Sequence, residues 1–488
     1  MDSADDLRPL IASRHPLIVA EMNDEERFMG LARVATAAAG VPLWTWSVTR
    51  GLALDRRPPQ YDTQDARKAL NLIAEMEQPG VFVLADAHHA LDDPVVVRQV
   101  KEMAQWGAPG KTLILTVPRP TLPPELKGLA LTWTLHPPDR AELEQLVRRT
   151  LDDLAARRFT VLLSDMEIES LVEALRGLST IEAERVVQET AFRDGAMTRD
   201  DIEEVRQAKA ELLEAGGALE LIEAHAGNLD QVGGLDRLKE WLRLRGRGFE
   251  PAAGRYGLEP PRGVLITGIP GCGKSLAAKT LARTWQLPLV LLDPARLYGP
   301  YIGESEQRLA DALWTVEAMA PVVLWVDEIE KGFASGGEAD SGVSRRVLGT
   351  FLRWMQDRPP GIFLAATCND VAVLPPEFLR KGRFDEIFFV DLPKEAEREA
   401  IVRLHLLKRN RDPAAFDVMS LAGASEGFSG AEIEAAVVGA LYRAYGEGRE
   451  ITTEDVLQEL EATVPLAASR AEDVARLRAW AEGRAVTA

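Results

Sequence analysis

Apolar and polar positions along the chain change their spacing repeatedly. Short runs such as Leu17 to Ala20, Val81 to Leu84, Val264 to Thr267 and Val322 to Val326 are continuously apolar and strand-length. Between them lie longer stretches in which apolar residues return every three or four positions, the spacing of a helix with one buried face. Strand, loop, helix and strand follow one another twice. GVLITGIPGCGKSLAAKTLARTWQLPLVLLD in the second half has the outline of HPLIVAEMNDEERFMGLARVATAAAGVPLWTWS in the first. VVLWVD ending at Asp327 is echoed by VFVLAD ending at Asp86, and LPPEFLRKGRFDEIFFVDLP from Leu374 by LPPELKGLALTWTLHPP from Leu122. GFSGAEIEAAVVGAL from Gly427 is echoed by GLSTIEAERVVQETA from Gly177. Four signals in one order, at nearly one offset, read as an old tandem duplication. Each repeat is an α/β part followed by a mostly helical part.

The expected division is an α/β domain over 1–150, a helical region and linker helix over 151–226, a second α/β domain over 227–393, a helical subdomain over 394–465 and a tail over 466–488. Glu203 to Ala226 reads as a charged helix, and Arg243 to Arg262, rich in Gly, Pro and Arg, as irregular. Trp44 and Trp46, two apart on one strand face, read as core.

With 488 residues, 46% hydrophobic and 27% charged, the chain has material for several packed cores at roughly 100 to 200 residues per domain. Its net charge of −19 repels phosphate backbones and anionic membrane faces, so nucleic acid is a disfavoured partner. The acidic start, MDSADDLRPL, has no signal-peptide outline, and no apolar run is long enough to span a bilayer. Cys272 and Cys368 are the only cysteines, too few for a disulfide framework, and a reducing cytoplasm is the expected location. The six histidines offer no metal-ligand spacing.

The chemistry concentrates in the second repeat. Gly268-Ile269-Pro270-Gly271-Cys272-Gly273-Lys274-Ser275 satisfies G-x-x-x-x-G-K-[ST] between an apolar strand and an amphipathic helix. Such glycines let backbone N–H groups curl around phosphates at a helix N-terminus. Lys274 would reach the β and γ phosphates of ATP, and the Ser275 hydroxyl would bind Mg²⁺. Leu276 continues the motif into the helix. The strand ending in Asp327-Glu328 supplies a second carboxylate for Mg²⁺ and, in Glu328, a general base for water. Glu330 and Lys331 read as surface charges. Asn369 stands at the end of GIFLAATCND, where it could bond the water or the γ-phosphate. Arg380 and Arg383, three apart, offer guanidinium forks for dispersed phosphate charge. Both cysteines lie in this region, where small thiols pack.

These residues together resemble the AAA+ ATPases over about Asn228 to Glu461, within the clade that carries an Asn sensor and a paired-arginine segment. The resemblance implies a P-loop α/β module with a helical lid, preceded here by a degenerate copy. It implies that Val232 and Gly233 lie by the adenine, that Asn369 is sensor 1, and that Arg380 and Arg383 act in a neighbouring subunit's site. Gly430-Ala431 resembles the lid segment of members that lack a sensor-2 arginine. A trans-acting finger implies a homo-oligomeric ring, usually a hexamer. Pro300-Tyr301-Ile302-Gly303 resembles the pore loop with which protein-remodelling members grip a polypeptide, and GFASGGEADSGVSRR offers a second. A narrower resemblance, carried by WQLPLVLLD, GESEQRL, LWVDEIEKGFA, DSGVSRRVLGTFLRWMQD and the tail PLAASRAEDVARLRAWAEGRA, is to the AAA family of cyanobacteria and plastids called hypothetical chloroplast reading frame forty-six. The expected function is Mg²⁺-dependent ATP hydrolysis coupled to remodelling or threading a protein partner. The alternative is an ATP-dependent assembly switch without threading.

The first repeat departs wherever chemistry is required. Its loop reads Glu21-Met-Asn-Asp-Glu-Glu-Arg-Phe28, without lysine or glycine and with four carboxylates that would repel a triphosphate. Asp86 is followed by Ala87, so the general base is read as absent, and no ATP binding is expected.

Overall fold

β-branched and large apolar residues flanked by Gly, Pro and Asp give short strands whose side chains are buried on both faces, the environment of a parallel sheet covered by helices. The computed structural model describes residues 4–22, 24–55, 57–106, 110–118, 122–215, 217–222, 233–298, 304–333 and 341–488. The chain forms two compact units, dividing between Arg206 and Gln207.

The first unit holds β1 (Leu17–Glu21), β2 (Leu43–Ser47), β3 (Gly51–Leu54), β4 (Gly80–Leu84), β5 (Lys111–Val117) and β6 (Leu131–Thr134) in the order β3-β2-β4-β5-β1-β6. All pairs are parallel except β2 with β3. Phe28, Met29 and Ala32 of the helix Glu25–Ala39 cover one face with Ile18 and Ala20, while Leu70, Ile73, Val96 and Val100 cover the other with Leu17 and Val19. Trp46 is core, its indole donating to Thr63 O at 2.7 Å, and Trp44 stacks on Phe82. Helices Arg140–Ala156, Asp165–Leu175 and Thr180–Asp194 follow, with the short parallel pair β7 (Thr160–Val161) and β8 (Ala196–Met197).

The second unit adds β9 (Leu219–Ile222), β10 (Gly263–Gly268), β11 (Leu289–Leu292), β12 (Val322–Val326), β13 (Ile362–Cys368), β14 (Glu386–Val390) and β15 (Val486–Thr487), ordered β15-β14-β10-β13-β12-β11-β9. Only β9 runs antiparallel to its neighbour. The run β11-β12-β13-β10-β14 has the same order and direction as β2-β4-β5-β1-β6, so the sequence repeat is a repeat of topology. Helices Glu395–Leu407, Val418–Ala424, Gly430–Gly446 and Thr453–Ala462 form a separate apolar cluster around Val402, Leu406, Ile433 and Val437.

Three expectations are corrected. The charged helix spans Asp201–Ala215 and does not reach Ala226, because Leu219–Ile222 is drawn into the second sheet by pairing with β11. The division therefore falls after Arg206, inside that helix, and not near Ala226. The stretch Arg243 to Arg262 contains the end of the helix Asp236–Gly246, a 3₁₀ turn Arg247–Phe249 and the helix Pro251–Arg255. The terminal segment is ordered too: its helix Ala471–Ala481 leads into β15 at the sheet edge.

Candidate nucleotide site

β10 lies between β13 and β14, and its carboxyl end opens where neighbouring connections leave in opposite directions, the place where open α/β sheets bind ligands. The loop there turns into the helix Lys274–Trp285. Glycine is required at its two ends. Gly268 has φ of +138° and a Cβ on it would stand 2.0 Å from Val390 O, while Gly271, at φ of +78°, would meet Ser429 Oγ of the helical lid at 2.9 Å. Gly273, at φ of +91°, caps the helix without a side-chain acceptor for its first N–H groups. The positive end of the helix dipole is thus left to an external anion.

Lys274 is 6% exposed, and its Nζ donates to Gly268 O and Ile269 O, both at 2.9 Å. Burial pushes its pKa below the ordinary lysine value. An ammonium in this position gains from a phosphate that replaces lost solvation. Ile269 is buried, Leu276 is 39% exposed, and the lid meets the loop directly, Ala431 N–H donating to Gly271 O at 3.0 Å.

The carboxylates across from Lys274 are tied by one chain of hydrogen bonds. Ser275 Oγ donates to Asp327 Oδ1 at 2.8 Å, and Thr367 Oγ1 donates to the same oxygen. That threonine oxygen accepts the Glu328 N–H at 2.9 Å. Glu328 has φ of +46°, an uncommon backbone state for a side chain with a Cβ, and it points its carboxylate at Asn369 Nδ2, 2.6 Å from Oε1. Lys331 forms an ion pair with its other oxygen. Glu330 is not the surface charge its neighbours suggest: it is 8% exposed, and Oε1 accepts the Asn369 N–H at 2.9 Å. Sequence reading missed Glu330 and Thr367. Each has a polar residue type in a run already explained by its strand or turn, and only three-dimensional contact distinguishes it.

Burial pushes the Cys272 thiol up to about 12. Cys368 is also raised, first by burial and then by Glu330 beside it. Both stay protonated near neutrality and pack, as expected.

Arg380 is exposed, whereas Arg383 is half-buried and its Nη1 has no hydrogen-bond partner among the described residues. Burial and then the adjacent Arg380 charge lower the pKa of Arg383. Gly233 packs on the lid helix Glu395–Leu407, where an added Cβ would lie 2.5 Å from Ile401 Cγ1. Val232, Tyr301, Ile302 and the centre of the second pore-loop stretch lie outside the described residues.

The residues fit ATP and Mg²⁺ on these observations. A glycine-lined loop leads to an uncapped helix, a buried ammonium stands beside it, and a hydroxyl–carboxylate pair, Ser275 and Asp327, offers hard oxygen ligands. Among the described residues no group of three or more His, Cys, Asp or Glu could hold a metal alone.

In the first unit the equivalent positions follow from strand pairing. Leu84 faces Leu115 at the end of β4 as Val326 faces Ala366 at the end of β12. Asp86, at φ of +51°, donates its N–H to Thr116 Oγ1 at 3.2 Å, which is the bond Glu328 makes to Thr367. Asp86 therefore stands at the place of Glu328, and Ala85 at that of Asp327. The expectation that Asp86 matches Asp327, with the base lost to Ala87, is off by one residue: the missing group is the metal-binding carboxylate. The loop is also shorter, and Asp24 caps the helix Glu25–Ala39, accepting from Arg27 N at 3.1 Å and from Thr180 Oγ1.

Fold and site define an AAA ATPase, and comparison with known proteins agrees. Residues 264–392 match the model of the ATPase family associated with various cellular activities, and 415–459 match the AAA+ lid domain. Residues 3–135 and 141–216 match the N-terminal and second domains of SpoVK-like AAA ATPases. The AAA domain-containing protein ycf46 of Trieres chinensis is 34% identical over 98% of this chain and 96% of its own length, and that of Guillardia theta 34% over 99% and 95%. The proteasome-activating nucleotidase of Methanosarcina mazei is 31% identical over 51% of this chain and 61% of its own. The chain belongs to the ycf46 family of AAA domain-containing proteins.

Proposed function

We propose that the protein is a cytoplasmic, Mg²⁺-dependent ATPase that assembles as a homo-oligomeric ring, of six copies, and uses hydrolysis to remodel or thread a protein partner. The observation that carries this reading is the continuous set of contacts Ser275–Asp327–Thr367–Glu328–Asn369 facing the buried Lys274. In it, backbone N–H groups of the loop Gly268 to Gly273 and Lys274 hold the phosphates, and Val232 and Gly233 bound the adenine. Ser275 and Asp327 would hold Mg²⁺, which would supply positive charge against the phosphate oxygens. Glu328 accepts a proton from the attacking water, and Asn369 orients both.

A ring is supported by the pair Arg380 and Arg383, of which Arg380 is exposed and Arg383 half-buried beside it. A guanidinium so placed suits a phosphate group presented by another copy. Similarity to a protein named proteasome-activating nucleotidase supports work on a polypeptide. Among the described residues no helix is long and apolar enough to cross a membrane.

The test is ATPase turnover with and without an unfolded polypeptide, in wild type and Tyr301→Ala. Stimulation that the substitution abolishes is the expected result. Turnover indifferent to both polypeptide and substitution would replace threading by the assembly switch.

A further inference from the structure

The terminal segment beyond the lid plays no part in the chemistry above, yet it touches both the lid and the loop that carries Asn369. At one end it sits on the lid. Leu466 N–H donates to Glu432 Oε1 at 2.9 Å, and Ala467 N–H reaches Gly427 O at 3.4 Å. Gly427, at φ of +80°, lets the chain approach so closely that an added Cβ would stand 3.2 Å from Ala467 Cβ. Glu432 in turn closes the capping box of the helix Gly430–Gly446, whose Ala431 N–H bonds the phosphate loop.

Further along, the helix Ala471–Ala481 presents two arginines to two aspartates. Arg476 Nη1 donates to Asp370 Oδ2 at 3.0 Å, one residue beyond Asn369. Arg478 Nε lies 3.0 and 2.9 Å from the two oxygens of Asp391, in the connection from β14 to the lid. At its far end the segment is fixed to the sheet. Leu477 and Ala481 are buried against Phe389 with Trp480 alongside, β15 extends the sheet beyond β14, and Ala488 N–H bonds Phe389 O at 3.0 Å.

Apolar burial and strand pairing thus supply the anchorage, at about 25 cal/mol per Å² buried. The exposed ion pairs add little energy but set position. The Asn369–Asp370 loop is gripped from two sides, by Glu330 on the backbone of Asn369 and by Arg476 on the side chain of Asp370.

We propose that residues 466–488 are a strap joining the lid to the sensor loop, and that Arg476 is a positioning residue for hydrolysis acting through Asp370. The proposal rests on the reading of Glu328 and Asn369 as the hydrolytic pair. Movement of the lid over bound nucleotide is then transmitted to Asn369 along the outside of the sheet, independently of the phosphate loop.

The experiment is a double-mutant cycle on the full chain, reading kcat and the Kd of a fluorescent ATP analogue for Arg476→Ala, Asp370→Asn and both together, with Glu328→Gln alongside. Asn at 370 retains an oxygen for Ala372 N–H, so the local turn is kept. Each single substitution is expected to lower kcat by about two- to fivefold, the scale of an exposed pair, with Kd unchanged and the double no worse than either. Leu466→Pro, at the first position of its short helix, removes the N–H that reaches the lid and should lower kcat likewise, with Leu466→Ala as the control for the lost side chain. Unchanged kcat in Arg476→Ala or in Leu466→Pro, or factors that multiply in the double, would overturn the strap. Wild-type turnover in Glu328→Gln would instead overturn the reading of the site on which it rests.

Discussion

Two modules with one strand order treat the same spot in opposite ways. In the second, the helix after β10 begins at an uncapped glycine, and its N-terminus faces a buried ammonium. In the first, a loop too short to curl brings Asp24 onto the helix N-terminus, where it takes one bond from its own helix and one from Thr180. Thr180 opens a helix with the capping box Ser179–Glu182, as Gly430 opens one with Ser429–Glu432. The lid therefore meets the loop in both modules. Where one module leaves the anion position for a ligand, the other fills it with its own carboxylate. The same architecture thus accommodates a positive helix end left to a ligand and one satisfied internally. We infer that the first module binds no nucleotide.

The comparison can be broken most sharply at the residues present in only one module. Arg383→Ala should lower turnover by about 10³ to 10⁵, the range of an arginine finger, while each chain still binds ATP. Glu328→Gln should cost about 10² to 10⁴ in turnover with binding kept, and Asp86→Asn, its counterpart, should leave turnover unchanged. Lys274→Ala should weaken ATP affinity by roughly ten- to a hundredfold, the scale of charged hydrogen bonds, as isothermal titration would show.

A pH series sharpens the same point. Burial lowers the pKa of Lys274 in the free protein, whereas phosphate would keep it protonated. Binding then takes up a proton once the pH exceeds that lowered value, so ATP affinity should fall as pH rises on the alkaline side. The decline should begin below the ordinary lysine range and vanish in Lys274→Ala. The smallest effect belongs to the first module. Asp24→Ala should cost about 1 kcal/mol of its stability, as loss of a helix cap does, and leave ATP stoichiometry at one per chain. A second bound ATP in that variant would show that the carboxylate alone excludes nucleotide.

The sequence made the duplication and the phosphate loop legible because both rest on local rules: apolar period, glycine placement and the strand and helix around the motif. The pair Asp327-Glu328 and Asn369 were legible for the same reason, each following directly on an apolar strand. The register of the first module was not. Asp86 looks like the end of its strand in sequence, but hydrogen bonding to Thr116 places it one step further, in the turn. Glu330 was misjudged because an acidic residue beside a lysine is usually solvated, and its burial comes from β13, about 40 residues away in sequence. Leu219–Ile222 does not show itself in sequence because an antiparallel edge strand four residues long has too few positions to show a period.

The central claim, that the site is completed by another copy, is tested most directly by the native mass of Glu328→Gln protein with and without Mg-ATP. A hexamer that appears or is stabilised with Mg-ATP, and that Arg383→Ala weakens, is the predicted result. A monomer at every nucleotide concentration would contradict it.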